Sequence, residues 1–85
     1  MRVTDVRIRK TNGETGNLKA YAGIVIDNAL AIHDIKIIDG KEGPFIVFPS
    51  RMDKEGKYRD IIHPINTEAR NVIQMAIIEQ YTLED

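Results

Sequence analysis

The stretch KAYAGIVIDNALAIHDIKII, residues 19–38, decides the fold. Its first half alternates, so that every second residue shares one face of a strand. Asp27-Asn28 then marks a tight turn, because these residue types tolerate the backbone angles that short hairpin connections require. Residues 30–38 predict the next strand, and the whole stretch therefore predicts an antiparallel hairpin. One face of the first strand carries Ala20, Ala22, Ile24 and Ile26, and the other carries Lys19, Tyr21, Gly23 and Val25.

Residues 3–9, VTDVRIR, predict a strand that precedes this hairpin. The connecting segment, residues 10–18, contains Asn12-Gly13 and Gly16-Asn17, which supply positive φ angles for a hairpin turn. We therefore expect the first strand to run antiparallel to the second. By alternation, one face of the first strand carries Thr4, Val6 and Ile8, and the other carries Val3, Asp5, Arg7 and Arg9.

Downstream of the hairpin, residues 39–44 are rich in turn formers, and FIVF, residues 45–48, predicts a fourth strand that ends at Pro49. YRDIIHP, residues 58–64, is a weaker candidate for a fifth. Pairing of 45–48 with 58–62 would make the segment between them a hairpin loop. The tip of that loop would be Lys54-Glu55-Gly56-Lys57.

The C-terminal part predicts one helix over residues 67–82, with Asn66 as the N-cap. Its core-facing stripe contains Ala69, Val72, Ile73, Ala76, Ile77 and Tyr81. Met75 and Ile78 lie outside that stripe and widen the apolar surface, which favours coverage by a second chain. The predicted fold class is α+β: an antiparallel β-meander of about five strands with one C-terminal helix, dimeric.

Length and composition limit what else the chain can be. Its 85 residues fit one domain, 1–85, and such a small core usually needs support from a metal, disulfides or a partner chain. Cysteine is absent and there are only two histidines, so we expect no disulfide and no metal site. The N-terminus has no apolar signal region and no run approaches a membrane span. We therefore expect a cytoplasmic homodimer.

Candidate catalytic residues have simpler structural explanations. Ser50, His63 and Asp60 can be drawn as a triad, but no nucleophile elbow surrounds the serine. His33 and Asp34 should alternate across a strand and point to opposite faces. The glycines are scattered through turns and form no phosphate-binding loop. The sequence predicts no enzyme, no cofactor and no small-molecule substrate.

Basic residues cluster in two stretches of a chain whose net charge is −1. The segment 51–59 carries four cations against Asp53 and Glu55, and residues 2–10 carry four against Asp5 alone. A loop with several cations can neutralise phosphates. Alternatively, it is a solvated hairpin tip whose charges discourage aggregation, and charge alone leaves both interpretations open. The candidate phosphate-binding residues are Arg51, Lys54, Lys57 and Arg59, with Arg7 and Arg9 as an extension of the basic surface.

Several motifs together resemble the SpoVG family of bacterial septation and sporulation regulators. They are VTDVRIRK at residues 3–10, AYAGIVIDNALAIHDIKIIDG at 20–40 and GPFIVFPSRMDKEGKYRDIIHPIN at 43–66. The most specific pieces are His33-Asp34, Pro49-Ser50 and the block from Arg59 to Ile65. The resemblance covers nearly the whole chain, from Val3 into the helix.

The resemblance implies a dimeric α+β domain that binds specific DNA sites, and also RNA, to regulate gene expression without catalysis. It also implies that binding depends on basic residues after the Pro-Ser pair, which here begin at Arg51. This chain keeps the charge but rearranges it, since Met52 follows Arg51 where the family tends to have a second basic residue. Arg59 has a second interpretation, a structural ion pair with Asp60 or another acid. The alternative for the whole chain is a protein-interaction module that binds no nucleic acid.

Overall fold

The computed structural model describes residues 1–11 and 16–84. Within these residues, strands β1 to β4 form one antiparallel sheet in chain order, and β5 and β6 form a separate two-stranded pair. The predicted α+β class, antiparallel strands and single C-terminal helix are confirmed, although the strands divide between two sheets. The elements are β1 (Val3–Lys10), β2 (Leu18–Ile26), β3 (Leu30–Gly40), β4 (Gly43–Val47), β5 (Ser50–Met52), β6 (Tyr58–Asp60) and α1 (Thr67–Glu84).

The predicted turn between β2 and β3 is confirmed. Asp27 and Asn28 have φ angles of 53° and 52°, and the N–H of Ala29 donates to the carbonyl of Ile26 at 2.9 Å. Two successive positive φ angles match the twist of the flanking strands, which is why Asp and Asn suit this connection. The turn predicted at Asn12-Gly13 lies outside the described residues.

The core lies between the inner face of the four-stranded sheet and α1, which packs against β1 and β4. The four residues that alternation places on one face of β2, Ala20, Ala22, Ile24 and Ile26, are all buried. Burying an isoleucine side chain contributes about 1.5–3 kcal/mol, so the isoleucines dominate this small core. The buried set is Ala20, Ala22, Ile24, Ile26, Ile32, Ile35, Ile37, Ile46, Phe48, Ile73 and Ile77.

β3 contains a β-bulge that simple alternation did not predict. Ile24 pairs with Ile32 and Ala22 pairs with Ile35, so two residues of β3 lie opposite the single Gly23. The second of them, Asp34, has a φ of 61°, in the left-handed region that few side chains adopt. The extra residue brings both His33 and Asp34 to one depression on the outer face of the sheet. The prediction that they point to opposite faces is therefore wrong.

β1 also departs from alternation at its first residues. The register shifts between Val3 and Asp5, so that Val3 packs against the core together with Val6 and Ile8. Thr4, predicted to share a face with Val6 and Ile8, is exposed, and its hydroxyl donates to the carbonyl of Val25 at 3.3 Å. The prediction is confirmed for Val6 and Ile8 and wrong for Val3 and Thr4.

The predicted pairing of residues 45–48 with 58–62 is wrong. β4 pairs with β3 instead, because a two-residue turn between Gly40 and Gly43 returns the chain directly alongside β3. β6 pairs with β5, a segment predicted to be loop because three residues are too few to show a period. The N–H of Ile61 donates to the carbonyl of Pro49 at 2.8 Å and closes the base of this second hairpin.

The helix begins as predicted, with the side-chain oxygen of Asn66 accepting the N–H of Ala69 at 2.7 Å. Its core-facing side is rotated slightly from the predicted stripe. Ile78, placed outside the stripe, packs against the core, whereas Val72, placed inside it, is 36% exposed. At the other end, the Lys10 ammonium donates to the carbonyl of Glu84 at 2.8 Å, which places a cation at the negative end of the helix dipole.

Candidate nucleic-acid interface

The hairpin formed by β5 and β6 carries the basic segment singled out in the sequence. Arg51 lies directly opposite Arg59 in the strand register, with Met52 opposite Tyr58 on the neighbouring pair. Like charges directly opposite each other on one face of a sheet destabilise the pairing. The hairpin therefore needs a compensating negative charge close to the two arginines.

Asp53 supplies that charge. Its Oδ2 accepts a hydrogen bond from Nε of Arg59 at 2.7 Å, and its Oδ1 accepts the backbone N–H groups of Glu55 and Lys57, each at 2.9 Å. The bond from Arg59, supported by those backbone donors, lowers the pKa of Asp53 below its ordinary value of 3.8. Asp53 is therefore ionised at neutral pH and holds the tip and one arginine together.

The backbone of the tip closes through two further bonds. The N–H of Asp53 donates to the carbonyl of Lys57 at 2.8 Å, and the N–H of Gly56 donates to the carbonyl of Asp53 at 3.1 Å. Gly56 has a φ of 80°, which a glycine adopts without a steric penalty. The tip lies at the predicted residues 54–57, although the strands that flank it differ from the prediction.

The four cations of the hairpin are not equivalent. All are exposed, but Arg59 is engaged by Asp53, whereas the side chains of Arg51, Lys54 and Lys57 form no ion pair with the described residues. The sequence had raised an ion pair for Arg59, and its partner is Asp53 rather than Asp60. Three cations on a backbone ordered by Asp53 are available to an incoming anion.

Arg7 and Arg9 lie elsewhere, on the outer face of the four-stranded sheet. Nε of Arg7 is 3.1 Å from Oδ2 of Asp5, and the Arg9 guanidinium lies 5.2 Å from the centroid of the Tyr21 ring. They line one depression, while Arg51 and Arg59 line another. The predicted residues therefore fall on two surfaces that belong to different sheets.

Sequence reasoning missed Asp53, although a signal for it was present. Asp53 and Gly56 stand three residues apart, a pattern typical of a turn in which the aspartate accepts backbone N–H groups two residues on. It also missed the bulge on β3. The signal there was the spacing of three between Ile32 and Ile35, which breaks a strand period of two.

The catalytic, metal and membrane alternatives gain no support from the described residues. His63 has its Nδ1 3.2 Å from the carbonyl oxygen of Pro64, and no hydrogen bond in residues 1–11 or 16–84 joins it to Ser50. In the same residues, no three His, Cys, Asp or Glu side chains gather as metal ligands would. No helix in that part of the chain has the length and apolar character needed to span a bilayer.

Comparison with known proteins decides the family. The SpoVG family model matches residues 1–83. The chain belongs to the SpoVG family. Relatives named SpoVG septation protein include that of Caldanaerobacter subterraneus subsp. tengcongensis, 51% identical over 81 residues, which cover 95% of this chain and 88% of the relative. The relative from Caldicellulosiruptor bescii is 53% identical, and the match covers 95% of this chain and 91% of the relative. The relative from Clostridium novyi is 51% identical, and the match covers 95% of this chain and 80% of the relative.

The SpoVG assignment confirms the resemblance inferred from the sequence motifs. The relatives match over nearly the whole of this chain, and their name connects them with septation. The β5–β6 hairpin and the His33-Asp34 bulge both lie within the matched residues 1–83. Both surfaces described above therefore belong to the family domain.

Proposed function

We propose that this SpoVG protein is a cytoplasmic, homodimeric regulator of gene expression in septation-type or sporulation-type processes, which binds DNA, and also RNA, through the β5–β6 hairpin. The observation that carries the proposal is the construction of the hairpin tip. Three exposed cations stand on a short backbone that Asp53 orders through two N–H bonds of 2.9 Å. Ordered cations lose less entropy on binding a phosphate than those of a flexible loop.

The local charge supports an anionic partner. Residues 51–59 carry four cations and two acids, Asp53 and Glu55, which gives 4 − 2 = +2 in a chain of net −1. Arg51, Lys54 and Lys57 form the contact surface proper. Arg59 contributes its remaining guanidinium donors while it stays bonded to Asp53, because a guanidinium has five N–H groups.

A dimer is part of the proposal for two physical reasons. An isolated two-stranded hairpin is at best marginally stable in water, and β5–β6 exposes Met52 and Tyr58, at 53% and 71%. A two-fold pair of chains would cover apolar surface and present two basic hairpins to one nucleic acid.

The test removes the two lysines of the tip. Fluorescence anisotropy of labelled duplex DNA at several salt concentrations should give a log–log slope of about −5 if a dimer neutralises about six phosphates. The variant Lys54→Ala/Lys57→Ala should flatten the slope by about four across a dimer, since each lysine contributes about one. A matched control is Arg2→Ala/Lys41→Ala, which removes the same charge at two exposed positions that line neither depression of the hairpin. Equal slopes in all three proteins would refute the role of the hairpin.

The exposed apolar side chains favour one alternative, a protein-interaction module. On α1, Met75 is 68% exposed and Leu83 is 73% exposed. A stoichiometric protein partner that co-purifies, together with no nucleic-acid binding at low salt, would support this alternative over the regulator.

A further inference from the structure

We propose that the outer face of the four-stranded sheet, around the His33-Asp34 bulge, is a second nucleic-acid site that takes an unstacked nucleotide of a single strand. The inference rests on the proposed function and adds to it a substrate class and a second surface. Below, this surface is called the bulge site, and it is lined by Arg7, Arg9, Tyr21, Gly23, His33 and Asp34.

The bulge site has a flat, positively charged wall. Arg9 lies directly opposite Tyr21 in the register of β1 and β2, and its guanidinium covers the ring at 5.2 Å from the centroid. On the other neighbouring strand, β3, Lys36 lies opposite Tyr21. Across the three strands, the Tyr21 ring therefore lies between two cationic residues. Nucleic-acid bases stack on aromatic rings and on guanidinium planes, and the adjacent cations would hold the phosphate.

The floor of the bulge site is open because residue 23 is glycine. Arg7 and the bulge flank Gly23 on the neighbouring strands. A Cβ added at Gly23 would lie 3.8 Å from Nδ1 of His33 and 3.7 Å from the carbonyl oxygen of Ile32, which are ordinary contact distances. Packing therefore does not require glycine here, and the depression that Gly23 lines has a volume of about 170 Å³.

The bulge itself is not needed to build the core. Ile32 and Ile35 are both buried, and a β3 shorter by one residue between them would keep both on the inner face through strict alternation. The extra residue instead brings His33 and Asp34 to the outer face, with Asp34 at a φ of 61°. There the imidazole offers a second stacking surface and the carboxylate an acceptor for a base amino group.

The chemistry favours a single strand over a duplex. In a duplex the base faces are stacked on one another, so a ring and guanidinium surface has nothing to stack on. The charges at the bulge site also suit a single phosphate unit more than a long duplex contact. Nε of Arg7 is bonded to Asp5 at 3.1 Å and leaves the terminal guanidinium nitrogens to donate outward.

Two variants of the full chain test the bulge site separately from the hairpin. Gly23→Val fills the floor without a change of charge, and Arg7→Gln/Arg9→Gln removes the cations. Arg2→Gln/Lys41→Gln removes the same charge at exposed positions outside both the bulge site and the hairpin, and is the matched control. Affinities are measured for a short oligothymidylate, a short oligouridylate and a DNA duplex, with circular dichroism to establish folding. Gly23→Ala, whose added methyl makes ordinary contacts, replaces Gly23→Val if the latter does not fold.

We expect single-strand affinity to fall about tenfold in Gly23→Val and in the double arginine variant, which corresponds to the loss of one stacked base. Duplex affinity should stay unchanged in Gly23→Val and fall in Lys54→Ala/Lys57→Ala.

Single-strand affinity that Gly23→Val leaves unchanged, with Arg7→Gln/Arg9→Gln no weaker than its control, would overturn the bulge site while the hairpin proposal stands. A Gly23→Val protein with unchanged binding but an altered mass in solution would also overturn it, because the face would then be a contact between copies. If the unsubstituted protein binds none of the three ligands even at low salt, both proposals fail.

Discussion

At the scale of single residues, Asp53 has the largest structural consequence for the basic hairpin. Its ionised carboxylate compensates the positive charge of the facing Arg51 and Arg59, and the same carboxylate orders the backbone of the tip. Replacing its charge therefore affects more than one contact. The same residue connects the geometry of the hairpin to pH.

We predict a pH dependence of the hairpin that follows the ionisation of Asp53. Folding lowers the pKa of Asp53 below its unfolded value, near 3.8, so the ionised carboxylate stabilises the folded state at any pH above that value. This stabilisation is lost as the pH falls through the lowered pKa of the folded state. A carbon-13 NMR titration of the Asp53 carboxyl should therefore give a midpoint below 3.8. The hairpin should stay intact throughout the neutral range and loosen only in strong acid.

The matched variant for this titration is Arg59→Gln, which removes the largest cause of the lowered pKa. The midpoint of Asp53 should move up towards its ordinary value, because only the backbone donors at Glu55 and Lys57 remain. A midpoint that Arg59→Gln leaves unchanged would show that the ion pair does not form in solution.

At the scale of elements, the cap of α1 makes a separate prediction. Asn66→Ala removes the acceptor for the N–H of Ala69, a bond of 2.7 Å, and should lower the free energy of unfolding by about 0.5–2 kcal/mol. Chemical denaturation of both proteins measures the difference. The control is Asn71→Ala, an exposed position inside the same helix, where alanine should be neutral or slightly stabilising. Equal losses in the two variants would rule out a specific cap.

Most elements of this fold could be predicted from local sequence because their signals are local. The alternation of β2, the Asp27-Asn28 turn and the Asn66 cap each depend on a few adjacent residues, and all three are confirmed. β5 could not be predicted, since its three residues are too few to show a period.

The two candidate surfaces were predictable only in part, for a related reason. The cations at Arg51, Lys54 and Lys57 are visible in the sequence as charges, and the structure shows them exposed. The role of Asp53 requires the geometry of the tip. The bulge site requires a register that shifts by one residue, which a period of two does not reveal.

At the scale of the whole molecule, the exposed apolar side chains predict association. If two chains form a dimer, the melting temperature should rise with protein concentration, because unfolding then includes dissociation. Differential scanning calorimetry over a wide concentration range measures this directly. Met75→Ser, at a side chain that is 68% exposed, should weaken the dependence if α1 lies in the interface.

In a monomer the result would differ. The melting temperature would not depend on concentration, and Met75→Ser would change stability by no more than about 0.5 kcal/mol, as is usual for exposed positions. Lys41→Ser, in the β3–β4 turn, is the control for an exposed residue of no expected importance.

The order of strands in the main sheet also has a consequence for how the chain folds. Each of β1, β2 and β3 pairs with the strand that follows it in the chain, so every pairing in this sheet closes a short loop. The contact between α1 and β1 is different, since Lys10 and Glu84 are 74 residues apart. The sheet can thus form by successive local steps, and we expect docking of the helix onto β1, which closes the longest loop, to be the slower step.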